Sequence, residues 1–295
     1  MTVPVQFDVW GCRGSRNLVP NRSSIGNRTS CYSILGPESL VVLDAGRGIA
    51  ALGSAMLTDP RFAHVKEIHV LLTHAHLDHF EGLKDVDWFW KRGNGLSLVL
   101  HGTEEALSSV ATVFAPPIYV TLPVLADGTL GSFTLVTQRA GDSFPIPGFT
   151  VDVFPLYHYS GIASAKFALD TIGYRVASTD PDGPVVAYLS DHEPTRETAP
   201  LERAARSGAH LVIYDAHFLD VKDHAFGHGS QEYTAGVARA ESSSLVLAGH
   251  LSPNVTDTAL HETRKRHGED VPNFALAAEG DRWQWDEDAL RFLKV

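Results

Sequence analysis

Apolar positions recur along this chain in short runs that break off at polar, chemically active residues. Residues 3–10 (VPVQFDVW) alternate apolar and polar, as a strand with one buried face does. Residues 32–44 (YSILGPESLVVLD) read as a hairpin broken at Gly36-Pro37, and 49–58 (IAALGSAMLT) as a helix. LSLVLHG (96–102) predicts a strand, and TEEALSSVATVF (103–114) a helix opened by Thr103 and two early glutamates. Residues 115–150, with Pro, Gly and short alternating runs, predict hairpins leading into a second half. There, strands are expected over 149–158 (FTVDVFPLYH), 172–177, 184–191 (PVVAYLSD) and 210–218 (HLVIYDAHF), with a helix over 197–209. No low-complexity linker interrupts this rhythm, which predicts one α/β domain over 1–295 made of two related halves.

The runs end in side chains that suit metal ions. LLTHAHLDHFEG (71–82) delivers His74, His76, Asp78 and His79 at its polar end. His74 and His76 are two apart and point to one side of an extended chain, and Asp78 and His79 follow as the chain turns. One strand end therefore offers two nitrogens to one ion and a carboxylate with a third imidazole to another. His158, Asp191 and His250 close later apolar runs in the same way. A carboxylate such as Asp191 can bridge two cations with its two oxygens, which an imidazole cannot do. His228, in a Gly-flanked loop ahead of a helix, suits substrate contact or general acid work. His217 and His224 are weaker candidates, and Asp215 reads as structural or as a support for a neighbouring ligand. Asp44, ending VVLD before Gly46 and Gly48, reads as a hydrogen-bonding residue that orients a ligand or the turn. His64, His210, His261 and His267 read as surface residues.

The net charge of -11 argues against broad binding to nucleic acid, whose affinity comes mainly from phosphate neutralisation. No apolar stretch approaches eighteen residues and the first residues lack a leader pattern, so a cytoplasmic protein without a membrane partner is expected. Cys12 and Cys31 are too few for a disulfide framework and read as reduced thiols. Against the acidic background, the loop over 11–30 carries Arg13, Arg16, Arg22 and Arg28 and no acidic residue. Arginine's planar fork suits phosphate oxygens, so this loop is expected to help hold an anionic substrate.

The cluster at 74–79 resembles the His-x-His-x-Asp-His motif of the metallo-β-lactamase superfamily. That resemblance implies an αββα four-layer sandwich with a one- or two-metal site along one edge of the sheets. Within the superfamily, WGCRGS, IGNRTSCYSI, LVVLDAGRGI, YRV, AYLSD, LVIYDA, GHGS and LAGHLSP look most similar to the phosphodiesterase branch of phosphoribosyl cyclic phosphate phosphodiesterases and tRNase Z. Carried over residue by residue, the resemblance implies one metal on His74, His76 and His158 and a second on Asp78, His79 and His250, with Asp191 bridging both. It implies Zn²⁺ as the first metal to expect and Mn²⁺ as the second. The implied activity is hydrolysis of small or cyclic phosphodiesters by metal-bound hydroxide, with Asp78, Asp191 and His228 in catalytic roles and His228 assisting at the scissile phosphate. A lactonase or thioesterase on the same metals is the alternative, and a metal-binding sensor without turnover a more remote one. The tRNA-gripping basic insertion of tRNase Z is missing, which disfavours tRNA and long nucleic acid as partners. The stretch SGIASAKFALDT (160–171) after His158 is longer than the branch usually shows and bears on pocket shape. A homodimer is compatible with the sequence.

Overall fold

A computed structural model describes residues 4–16, 23–90, 95–120, 132–162, 165–223 and 226–295. The first half of the chain forms β1 (Gln6–Gly11), β2 (Cys31–Leu35), β3 (Leu40–Leu43), α1 (Gly48–Thr58), β4 (Glu67–Leu71), β5 (Ser97–Gly102), α2 (Glu104–Val113) and β6 (Ser132–Thr137). The second continues with β7 (Ser143–Ile146), β8 (Phe149–Pro155), β9 (Tyr159–Ile162), β10 (Ala165–Ala168), β11 (Ile172–Ser178) and β12 (Val185–Leu189). It then runs through α3 (Ala199–Arg206), β13 (Leu211–Asp215), α4 (Gln231–Ala240), β14 (Leu245–Gly249) and α5 (Asp257–Gly268). The last strands are β15 (Phe274–Leu276), β16 (Arg282–Asp286) and β17 (Arg291–Lys294).

The strands assemble into two large mixed sheets, ordered β17-β16-β1-β2-β3-β4-β5-β6 and β15-β14-β13-β12-β11-β8-β7 among the described residues. In the first sheet β3 to β6 are mutually parallel, and in the second β12 to β15 are. The period-2 alternation of the sequence divides each strand between two cores. Tyr32, Ile34, Val41 and Leu43 pack into the core between the sheets, together with Val151, Tyr174 and Tyr188 of the second sheet. Their chain neighbours Cys31, Leu35, Leu40 and Val42 face the other way, onto Ile49 and Leu52 of α1 and Leu107 and Val110 of α2. Each such side chain, fully buried, contributes roughly 1.5–3 kcal/mol through removal of apolar surface from water. On the far side, Ala235 and Val237 of α4 and Leu260 of α5 pack on the second sheet, completing the αββα layering that the motif implied.

Local signals behave as their chemistry requires. Thr103 Oγ1 accepts the Ala106 N–H at 3.2 Å and opens α2, and Ser230 and Thr256 do the same for α4 and α5. Two expectations need correction, and one stretch left open is now placed. Residues 115–150 do not stay together as hairpins: β6 joins the first sheet beside β5, only β7 turns back onto β8, and 121–131 lie outside the described residues. The strand toward His158 stops at Pro155. Residues 160–171 lie largely within the separate two-stranded hairpin β9–β10, whose second strand is exposed along its length and so carries no alternating apolar face in the sequence.

Candidate metal centre

Parallel strands point their carboxyl ends the same way, and in open α/β sheets that edge is where ligands gather. Here both sheets contribute. The segments leaving β3 and β4 carry Asp44, His74, His76, Asp78 and His79, and those leaving β12, β13 and β14 carry Asp191, Asp215 and His250. A short 3₁₀ turn over Leu77–His79 folds Asp78 and His79 back toward the strand ends.

The side chains meet in two groups that share one carboxylate. His74, His76, His158 and Asp191 offer ligand atoms within 4.8 Å of one another, and so do Asp78, His79 and His250. Asp191 stands between them. Its Oδ2 lies 3.7 Å from His74 Nε2 and 3.6 Å from His158 Nε2, and its Oδ1 lies 3.3 Å from His79 Nε2 and 3.2 Å from His250 Nε2. Asp78 Oδ2 adds distances of 3.4 Å to His79 Nε2 and 3.3 Å to His250 Nε2.

In His74, His79 and His158 the other ring nitrogen is committed to the protein. His79 Nδ1 donates to Asp44 Oδ2 at 2.8 Å and His158 Nδ1 to the Gly227 carbonyl at 2.9 Å. His74 Nδ1 donates to Thr73 Oγ1, whose hydroxyl donates in turn to Asp44. This fixes the tautomers and turns the Nε2 lone pairs inward. Asp44, held at φ 56°, also accepts from Tyr188 and Ser190 across the sheets, the orienting role expected of it. His74 Nε2 and His79 Nε2 are buried and have no hydrogen-bond partner. Burying such atoms unsatisfied costs about 1–3 kcal/mol each, so their orientation toward two buried carboxylates fits divalent cations.

Electrostatics divide the cluster: Asp191, Asp78 and Asp44 overcome burial and hold His79 well above the ordinary histidine range, so a bound ion would have to displace its proton. Burial and the neighbouring rings hold His74 well below the ordinary histidine range, and burial brings His158 down to about 4. Both are neutral near pH 7, as ligands must be. Asp78 and Asp191 lie well below the usual carboxylate range because His79 and His250 outweigh the cost of burial.

His228 occupies a different position. Gly227, at φ 78°, lies so close to His158 that a Cβ there would meet Nδ1 at 2.6 Å, and the next residue projects its ring beside the cluster. His228 Nδ1 donates to Asp215 Oδ2 at 2.7 Å, and Nε2 has no hydrogen-bond partner among the described residues. Burial opposes charge on this ring, but Asp215 and Asp191 prevail and push its pKa up to about 9. Asp215 is the support expected.

Two readings change. His217 is no marginal residue, since its ring stacks on His228 at 4.5 Å and approaches His250 at 5.5 Å. Two of the four arginines of the loop, Arg13 and Arg28, are engaged in holding the fold. Arg13 is fully buried and binds Asp257 at 2.6 Å as well as the carbonyls of Gly26, Ser252 and Val255. Arg28 pairs with Glu279, Arg16 is exposed, and Arg22, like His224, lies outside the described residues. Among the residues read as surface, His210 accepts the Val185 N–H and packs on Trp285. Sequence reasoning passed over His192, which is buried 3.1 Å from Glu202 beside Asp191, although its place next to a ligand candidate was a usable signal.

The sequence model of the family described as "Beta-lactamase superfamily domain" matches residues 40–266. Among solved structures, the metallo-beta-lactamase fold protein YhfI from Bacillus subtilis is 16% identical, with a TM-score of 0.66, covering 95% of this chain and 99% of that one. A diphosphatase from the PhnP family is 17% identical (TM-score 0.62, 96% and 98% covered), and the short form of human tRNase Z 15% identical (TM-score 0.60, 94% and 98% covered). At these identities the likeness is one of fold. No curated protein sequence matches the chain. No helix among the described residues is long and apolar enough to cross a membrane.

Proposed function

The chain belongs to the metallo-β-lactamase superfamily of metal-dependent hydrolases, and from that membership we propose that it is a dinuclear phosphodiesterase acting on small or cyclic phosphodiesters. The observation that carries the dinuclear reading is Asp191, which turns one oxygen to His74 and His158 and the other to His79 and His250. In this reading His74, His76 and His158 hold one ion, Asp78, His79 and His250 the second, and Asp191 both. Imidazole and carboxylate donors suit zinc first and manganese second. When bound, such ions lower the pKa of water and neutralise charge on a phosphoryl oxygen.

The protein's own part is to orient and to move a proton. Asp44 and Gly227 fix the faces of His79 and His158, and Asp215 holds His228 with its proton-bearing Nδ1 turned away and Nε2 free. A departing alkoxide needs a proton, and His228, held through Nδ1 by Asp215 beside the cluster, is placed to supply one from Nε2. A thiolate would leave unaided, so the His228–Asp215 pair favours phosphodiesters over thioesters. The similar diphosphatase and tRNase, by name, also act on phosphate compounds.

A lactonase or thioesterase remains the second reading, because the burial of Arg13 and pairing of Arg28 withdraw two of the arginines that favoured phosphate. Hydrolysis of bis(p-nitrophenyl) phosphate, a lactone and a thioester by metal-stripped protein reloaded with zinc or manganese separates the readings. Metal-dependent diester cleavage well above the other two is expected; preferential lactone or thioester cleavage would overturn the phosphodiesterase.

A further inference from the structure

Beside the metal centre, a cleft of about 730 Å³ opens between the segments that follow β13 and β14. Its size falls within the roughly 300–1,000 Å³ typical of small-molecule sites. His217 lines this cleft and also stacks on His228, so the cleft begins at the ring beside the proposed proton donor. Phe218, Leu219, Phe226 and Val255 supply apolar wall. Phe226 is 49% exposed at φ 56°, immediately before Gly227 and His228, an outward placement of a large ring that packing does not account for. The polar lining consists of Ser252, Asn254 and Asp223, with no Lys or Arg among the described lining residues.

We propose that this cleft receives the leaving group of the diester and that it selects a neutral aromatic ring, as in a nucleoside cyclic phosphate. The inference rests on the phosphodiesterase reading. The group attached to the departing oxygen lies on the side from which His228 delivers its proton, and that is where the cleft starts. In the reaction the water oxygen forms the new P–O bond, the bond from phosphorus to the ribose oxygen breaks, and that oxygen leaves as a hydroxyl with the proton from His228 Nε2. Phe218 and Phe226 offer faces on which a base can stack whatever its sequence identity. The Asn254 amide has both a donor and an acceptor for the edge of a base. A second phosphate on the leaving group would meet Asp223 with no Lys or Arg among the described lining residues to compensate, and a plain alkyl chain would leave Asn254 and Ser252 unmatched.

The test compares adenosine 2′,3′-cyclic phosphate with ribose 2′,3′-cyclic phosphate on metal-loaded protein, with bis(p-nitrophenyl) phosphate alongside. The two cyclic substrates share the ester and the leaving oxygen and differ only in the base. A kcat/KM ratio of about tenfold or more in favour of the adenosine compound is expected, within the range one stacked base supplies, and Phe226→Ala should bring the ratio down by several-fold. Phe226 is exposed, so the variant should fold. Equal kcat/KM for both cyclic phosphates, or a ratio indifferent to Phe226→Ala, overturns the cleft assignment while diester hydrolysis stands. No metal-dependent cleavage of any of the three diesters overturns the phosphodiesterase reading, and the leaving-group site with it.

Discussion

His74, His79, His158 and His228 are each oriented by the Nδ1 they commit to a neighbour. His228 gives Nδ1 to Asp215, so His228→Ala should lower kcat by about 10²- to 10⁴-fold, the usual contribution of a positioned acid, while two metal ions per chain are retained. Metal analysis beside steady-state rates checks this; loss of an ion would make His228 a ligand. Gly14 supports the opposite side. A Cβ there would sit 2.3 Å from the His250 ring, so Gly14→Ala should displace that ring and reduce bound metal from two ions toward one by elemental analysis. Residues of this kind were legible in unequal measure. His74, His158, Asp191 and His250 stood out because each follows an apolar run. His217 follows Asp215 at the same two-residue spacing that links His74 to His76, a signal that could have raised it from a weak candidate. The pairing of Arg13 and Arg28 was not legible for a physical reason: local sequence shows their charge, whereas their partners Asp257 and Glu279 lie more than two hundred residues away.

At the scale of elements, the strap between β1 and β2 is tied to the start of α5. Asp257 accepts from Arg13, Ser23 and the Ser24 N–H, and removing Arg13 would orphan it together with the carbonyls of Ser252 and Val255. Arg13→Ala should therefore cost about 3 kcal/mol in denaturant unfolding, with little change in KM, whereas a phosphate-gripping arginine would show the reverse. A second pair joins β4 to β5, where His69 Nδ1 lies 3.0 Å from His101 Nε2 and the rings stack. Burial and then His69 bring His101 down to about 4, while an unfolded histidine titrates near 6.5. The unfolded chain thus binds a proton that the folded one refuses, and stability falls as pH drops from about 6.5 to about 4. His101→Gln should flatten that part of the pH profile of the unfolding free energy, so that the difference from the parent protein shrinks as pH falls. Of the elements themselves, those with an alternating face or a capping residue were readable. The hairpin β9–β10 was not, because its strand Ala165–Ala168 is exposed throughout and is held by its neighbour alone.

Across the whole molecule, the ligand candidates come from both sheets, so bound ions would cross-link them. We read residues 1–295 as one domain on this ground and because a single core joins the inner faces. Chelation should lower Tm, and restored zinc at a thousandfold excess over its Kd should return about 4 kcal/mol of stability. Differential scanning calorimetry with and without chelator measures it; an unchanged Tm would mean that the clusters hold no ion.

The register of β1 extends this reasoning to the birth of the protein. In its sheet β1 lies between β2 and β16, and Phe7 pairs with Trp283. On the ribosome, one edge of β1 must wait, unpaired, until β16 has emerged. Its docking against β16 is a late event in folding, and until then chaperones would have to guard the open edge.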